Sequence, residues 1–162
     1  MVRMTHKYSQ EDIKIALFEP DIPQNTAAII RTCACLGAKL EIIEPCGFLL
    51  TDKRFKRVVM DYFNKEYIKS YQSINDFFKA KAKGGQRIIL MTTKASVSYH
   101  SFKFKKGDTI LFGRESAGVP EKIHKLVKNR LKIPMEKNKR SLNIASSVAI
   151  ILAESLRQIR WI

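Results

Sequence analysis

A parallel α/β sheet flanked by helices is the fold class this sequence predicts, and three observations predict it. Short apolar, β-branched runs recur along the chain, segments with apolar residues three and four apart lie between most of them, and no repeat or linker interrupts the alternation. The first run, Ile13 to Phe18, reads as a buried strand. Asn25 to Leu36 follows as a helix, with Asn25 or Thr26 expected at its cap. Leu40 to Ile43 is the second strand. Ile74 to Lys81 is the second helix, and its basic end, Lys79 to Gly85, stops at a glycine before the strand Arg87 to Met91. Thr109 to Phe112 is another strand and Pro120 to Val127 a helix with proline at its start. Leu131 to Ile133 closes the set of strands at Pro134, and Ser141 or Asn143 is placed to cap the last helix, Ile144 to Ile159. In such a sheet the ligand site lies outside the carboxyl ends of the strands.

At 162 residues and 45% hydrophobic content, the chain is expected to form one domain over residues 1–162, with 1–12 a flexible or loosely packed start. Thirty Lys plus Arg against 15 Asp plus Glu give a formal charge of +15, which points to a polyanionic partner, most simply nucleic acid. An anionic membrane surface is the rival reading. Against it stands the absence of any apolar run near 20 residues or of a long basic amphipathic helix with a clean apolar face. The polar stretch Met1 to Gln10 has no signal-peptide core, so a cytoplasmic location is expected. Cys33, Cys35 and Cys46 form no C-x-x-C pair and His6, His100 and His124 are scattered, so neither a disulfide framework nor a metal site is expected.

Several segments carry candidate chemistry. Pro23-Gln24-Asn25-Thr26-Ala27-Ala28-Ile29-Ile30-Arg31-Thr32 opens a helix just after the first strand and sets Arg31 about two turns in. Ordinary capping with a surface arginine is its bland alternative. Leu111-Phe112-Gly113-Arg114-Glu115-Ser116-Ala117-Gly118-Val119-Pro120 runs from a strand into a glycine turn, where Gly113 admits close approach of a ligand and Glu115 supplies a carboxylate. It is neither a G-x-G-x-x-G fingerprint nor a phosphate loop with its lysine, so nucleoside triphosphate binding is unsupported. Met91-Thr92-Thr93-Lys94 ends a strand with two hydroxyls. Ile133-Pro134-Met135 followed by Arg140-Ser141-Leu142-Asn143-Ile144-Ala145 joins a strand end to a helix start and presents free backbone groups to a ligand. Lys53-Arg54-Phe55-Lys56-Arg57 puts four cations around one aromatic, and in so basic a chain this favours phosphate contact over a merely solvated helix face. Tyr62 and Phe63 read as core.

Taken in this order, the segments resemble the SPOUT superfamily of RNA methyltransferases, and within it the small bacterial tRNA wobble-nucleotide 2′-O-methyltransferases. The resemblance runs from about Ile13 to Gln158. Its most specific pieces are Phe18-Glu19-Pro20-Asp21-Ile22-Pro23-Gln24-Asn25-Thr26, Ile43-Glu44-Pro45-Cys46-Gly47-Phe48, Asp52-Lys53-Arg54, Met60-Asp61-Tyr62 and the two C-terminal motifs. It implies a sheet whose C-terminal third threads a loop to make a deep trefoil knot, which periodicity and composition do not suggest. It also implies a cytoplasmic homodimer acting on tRNA with S-adenosylmethionine and no metal.

By the same resemblance, Met91, Thr92, Gly113, Glu115, Ile133, Met135, Ser141, Leu142 and Asn143 hold the cofactor, with Ile133, Met135 and Leu142 as an apolar slot for adenine. Asn25 and Arg31 are the catalytic pair, and Lys53, Arg54, Lys56, Arg57, Arg114 and Arg140 contact RNA. Arg31 keeps its proton far above neutral pH, so it fits the fixing of ribose-phosphate and the stabilisation of charge on the attacking oxygen rather than a general base. The chain departs from the family at Ala27-Ala28, Ala117 and Ala153. Two alternatives stay open: 2′-O-methylation at another tRNA or rRNA position, and a catalytically inactive RNA-binding module of the same fold. The absence of an extra RNA-gripping domain in this chain favours the wobble nucleotide.

Overall fold

The computed structural model describes residues 8–59, 62 and 66–160. In chain order its elements are β1 (Ile13–Phe18), α1 (Pro23–Leu36), β2 (Lys39–Ile43), α2 (Lys53–Val59), β3 (Ile68–Tyr71), α3 (Ile74–Lys83), β4 (Ile88–Met91), β5 (Val97–Ser98), β6 (Asp108–Phe112), α4 (Glu121–Leu126), β7 (Asn129–Lys132) and α5 (Ile144–Arg160). Among the described residues the strands form one seven-stranded sheet in the order β3-β2-β1-β6-β4-β7-β5, and every pairing is parallel. All six residues of β1 are buried, as a strand covered on both faces requires.

Alternation along the strands divides the core into two layers. Ile13, Ile15 and Leu17 point to one side, where α1 contributes Ile29, Ile30 and Cys33, α2 contributes Phe55 and Val59, and α5 contributes Val148, Ile151, Leu152 and Leu156. Ala16 and Phe18 point to the other, against Phe77 of α3 and Ile123 of α4. The buried positions of α5 are spaced three and four apart, so its stripe lies along β1 and α1. Two later strands enter between earlier ones: β6 lies between β1 and β4, and β7 between β4 and β5. This interleaving brings the carboxyl ends of β4, β6 and β7 together.

Three expected features are corrected. Helix α1 begins at Pro23 with Ile22 as its cap and no side-chain cap bond, because proline at the first position fits the helix start without a donor; neither Asn25 nor Thr26 caps it. Strand β7 ends at Lys132, leaving Ile133 free of the ladder. The described residues 8–12 are tied to the end of α5. The Arg160 guanidinium at the end of α5 donates to Asp12 Oδ2 (3.1 Å), Ser9 O (2.9 Å), Leu36 O (2.9 Å) and Gly37 O (2.9 Å), and lies 4.7 Å over the Tyr8 ring. Residues 1–7 lie outside the described residues, as do Met60, Asp61 and Phe63. Tyr62 is exposed rather than core.

The expected glycine stop holds: α3 ends at Lys83 and the Gly84 N–H bonds Ala80 O at 3.2 Å. Burial pushes the Cys33 thiol up to about 12, so it stays protonated in the core.

Candidate functional site

Gly113 follows the end of β6 and starts a tight loop that returns on itself. The Arg114 N–H bonds Gly118 O at 3.2 Å, and the Gly118 N–H bonds Arg114 O at 2.8 Å, with Gly118 at φ 66. A Cβ on Gly113 would sit 2.6 Å from both Cα and C of Gly118. The glycine is therefore demanded first by its own loop, not by a ligand as its sequence context suggests. Gly47 plays a similar part nearby, since a Cβ there would meet the Asp21 backbone at 2.9 Å.

The loop forms one wall of an open cavity of about 640 Å³ at the carboxyl ends of β4, β6 and β7. Met91 and Thr92 line it from β4, Gly113 and Glu115 from the loop, Ile133 and Met135 from beyond β7, and Ser141, Leu142 and Asn143 from the entry to α5. Asn25 and Arg114 reach it too. All nine residues expected to hold the cofactor are thus gathered in one space. Ile22, Phe112, Val119, His124 and Ser147 also line it, and sequence spacing marks none of them. His124 is buried on α4, and burial, with Lys94 adding, lowers its pKa, so it presents a neutral imidazole.

A polar chain crosses the mouth of the cavity. Asn143 donates from Nδ2 to Asn25 Oδ1 (3.0 Å), and its own Oδ1 accepts from the Ala145 N–H (2.8 Å), capping α5 as expected. Asn25 Nδ2 points to Glu115 Oε1 at 3.5 Å, and Glu115 Oε2 accepts from the Asp21 N–H at 2.9 Å. Ser116 Oγ donates to Asp21 Oδ2. Arg114 lies 3.5 Å from Asp21 and 3.6 Å from Glu19. Its charge is held inside the loop by two carboxylates, so the structure gives this expected RNA contact an internal task. Asp21 and Ser116 belong to motifs visible in the sequence, but only the fold sets them 95 residues apart in contact.

The two carboxyls shift in opposite directions. Burial, then the neighbouring Asp21, push Glu115 above the ordinary glutamate value. Asp21 is lowered, first by the hydrogen bond from Glu115, then by Ser116 and Arg114. Glu115 is the weaker acid of the pair and Asp21 the stronger. The raised Glu115 binds more protons folded than unfolded, so its contribution to stability is fullest below the ordinary glutamate pKa and declines as pH rises. Lowered Asp21 has the opposite sign, its contribution being lost in acid. Glu115→Gln removes the first effect and, where unfolded Asp21 is already mostly ionised, leaves the second nearly constant with pH. Its melting temperature relative to wild type is expected to climb from about pH 4 to about pH 7. Thermal melts across that range check this, and a flat or falling difference would refute it.

The remaining cations do not line the cavity. Arg31 is exposed on α1, about 9 Å along the helix axis from Asn25 at 1.5 Å per residue, with its guanidinium 5.5 Å over the Tyr62 ring. Lys53, Arg54, Lys56 and Arg57 project from α2, where Asp52 accepts from the Arg54 N–H at 2.7 Å, and Arg140 is exposed before α5. Among the described residues no cluster of three or more His, Cys, Asp or Glu could hold a metal ion, and no helix is long and apolar enough to cross a membrane.

A family model described as the SpoU rRNA Methylase family matches residues 12–153. A tRNA (cytidine(34)-2'-O)-methyltransferase of Beijerinckia indica is 44% identical over 145 residues, covering 90% of this chain and 91% of that protein. Its counterpart of the same name in Escherichia coli K12 is 35% identical over 151 residues, covering 92% and 95%. A solved structure described as giving insight into the 2-OH methylation of C/U34 on tRNA superposes with a TM-score of 0.86 at 35% identity, covering 93% of this chain and 97% of that one. The SpoU methyltransferase AviRb of Streptomyces viridochromogenes, in complex with AdoMet, shares the fold at a TM-score of 0.80 and 23% identity, covering 94% of this chain and 62% of that one.

Proposed function

This chain belongs to the SpoU rRNA methylase family, and on that premise we propose that it methylates the ribose 2′-hydroxyl of the wobble nucleotide, cytidine or uridine, of a tRNA. It is an S-adenosylmethionine-dependent methyltransferase. The observation that carries the reading is the single cavity that gathers all the expected cofactor residues with Asn25. At about 640 Å³ the cavity falls in the range of small-molecule sites, about 300–1,000 Å³, and its lining mixes apolar side chains with a few convergent polar groups. Ile133, Met135 and Leu142 offer an apolar surface for adenine. Thr92, Gly113 and Ser141 line the same cavity, and Glu115 supplies a carboxyl.

When bound, S-adenosylmethionine supplies an electrophilic sulfonium methyl, and displacement at that carbon by an alcohol needs no metal. The protein's task is alignment. Asn25, fixed by Asn143 and Glu115, orients the ribose at the cavity mouth. Arg31 stabilises the charge that develops on the attacking oxygen. Because Arg31 does not line the cavity of its own chain, the site is completed in a homodimer. The interleaved entry of β6 and β7 supports a C-terminal segment threaded as a deep trefoil knot, within one methyltransferase domain over residues 1–162. A cytoplasmic location follows from the substrate.

The α2 cations and Arg140 hold RNA phosphates, while Arg114 holds the loop. With four or more such contacts, tRNA affinity is expected to fall with salt on a log–log slope of about −3 or steeper, at roughly 0.7–0.9 per contact. Binding titrations at several salt concentrations measure this, and a flat response removes the patch from the mechanism. Mass-spectrometric mapping of tRNA methylated in vitro tests the reaction itself. A single ribose methyl on the wobble nucleotide is expected; a methyl elsewhere would overturn the assignment.

A further inference from the structure

Beside the cofactor cavity, on the opposite side of α1, lies a second and apolar concavity. It holds about 150 Å³ and is walled by Pro23 and Ala27 of α1, Phe48 and Leu49 of the preceding loop, and Phe55 and Val58 of α2. Apolar cavities of about 150 Å³ take up one benzene-sized ring. Leu49 and Val58, which line it together, expose 70% and 68% of their surface. The rings of Phe48 and Phe55 meet at 5.2 Å with a 44° tilt, which gives the groove an aromatic wall.

We propose that this groove is a nucleobase site, taking one unstacked base of the substrate RNA that flanks the methylated nucleotide. The inference rests on the RNA-methyltransferase reading and adds to it a second point of base recognition. Charge complementarity selects the occupant. Helix α2, which supplies Phe55 and Val58, carries Lys53, Arg54, Lys56 and Arg57 as exposed cations around them, and the chain as a whole bears +15. Aromatic and aliphatic surface inside a cationic rim is the combination that binds single-stranded nucleic acid, the cations tracking phosphates while bases stack without need of sequence.

Position agrees with charge. Ile22 and Asn25 face the cofactor cavity, whereas Pro23, Gln24 and Ala27 face the groove, so one helix separates the two sites. That separation is about 10–12 Å, a helix diameter, within the span of a few nucleotides of unstacked strand at about 3.4 Å or more each. An RNA strand crossing the N-terminal end of α1 therefore reaches both. Gln24 stands in the groove lining with an amide to meet a base edge, and Arg54, held by Asp52, stands there as a cation.

The test replaces Leu49 and Val58, singly, by aspartate. Their exposure means that neither change disturbs the core, and S-adenosylhomocysteine affinity serves as the folding control. Substrate tRNA carrying 2-aminopurine at one position at a time, on either side of the target nucleotide, reports base environment by fluorescence without requiring methyl transfer. With wild type, a fluorescence change is expected at one flanking position; in L49D and V58D that change is lost and the KM for tRNA rises about tenfold, with kcat unchanged. An unaltered KM and signal in both variants would overturn the proposal. So would sedimentation showing that either variant has become monomeric, since the groove would then belong to a subunit interface. Wild type that gives the flanking signal yet transfers no methyl would overturn the methyltransferase reading and leave the groove assignment standing.

Discussion

Arg31→Ala is expected to lower methyl transfer to tRNA about 10²- to 10³-fold, the scale observed when one donor to a developing oxyanion is removed, while leaving cofactor affinity unchanged. The two halves of this result separate because Arg31 stands on α1 outside the cavity proposed to hold the cofactor. Its guanidinium rests over Tyr62 and is exposed, which leaves its donors available to substrate. Arg31→Lys is informative as well: a lysine keeps the charge but loses the planar fork, so partial activity points to charge stabilisation and complete loss to bidentate positioning. Single-turnover kinetics with saturating tRNA, paired with a calorimetric titration of S-adenosylhomocysteine, reads both quantities. Near-normal turnover in the alanine variant would remove Arg31 from the reaction.

Gly113→Ala should weaken cofactor binding by about tenfold or more, equivalent to at least about 1.4 kcal/mol, and lower the melting temperature. A methyl group there would lie 2.6 Å from Gly118 Cα and C and 2.9 Å from the Val119 nitrogen, all backbone atoms with no rotamer to escape into. Overpacking of this kind costs about 1–3 kcal/mol. Relief comes only by opening the Arg114–Gly118 loop, and that moves Glu115 away from Asn25 and Ser116 away from Asp21. The cavity wall and the polar chain across its mouth are thereby disturbed together. Calorimetry and thermal melts check the prediction. Unchanged affinity would show that the cavity tolerates a loosened loop, contrary to the tight packing seen.

Much of the architecture was legible because burial leaves a strong pattern. The all-buried run at β1 and the three-and-four spacing of α5 admit little choice once a sheet must be covered on both faces. Elements with weak patterns escaped. Strand β3 has two exposed residues of four, β5 is two residues long, and α2 buries only Phe55 and Val59 among its cations. Asn25 and Thr26 were expected as caps because their side chains favour that position, yet Pro23 starts the helix, which leaves Asn25 for the cavity and buries Thr26. All nine residues expected to hold the cofactor line one cavity, and it is the resemblance of ordered motifs, not spacing or charge, that assigns them.

By itself the sequence determined the alternation of strands and helices, the basic surface and the identity of the chemical groups, since each follows from local side-chain properties. Which groups meet was decided only in three dimensions. Asp21 and Ser116, Asn25 and Asn143, and Asp12 and Arg160 are 95, 118 and 148 residues apart and come into contact because β6 and β7 are inserted between earlier strands and α5 packs back onto α1. Strand order is set by the packing of whole elements against one another, and no local pattern encodes it. The same holds for the opposite shifts of the Glu115 and Asp21 carboxyls, which depend on neighbours and a degree of burial that exist only after the chain has folded.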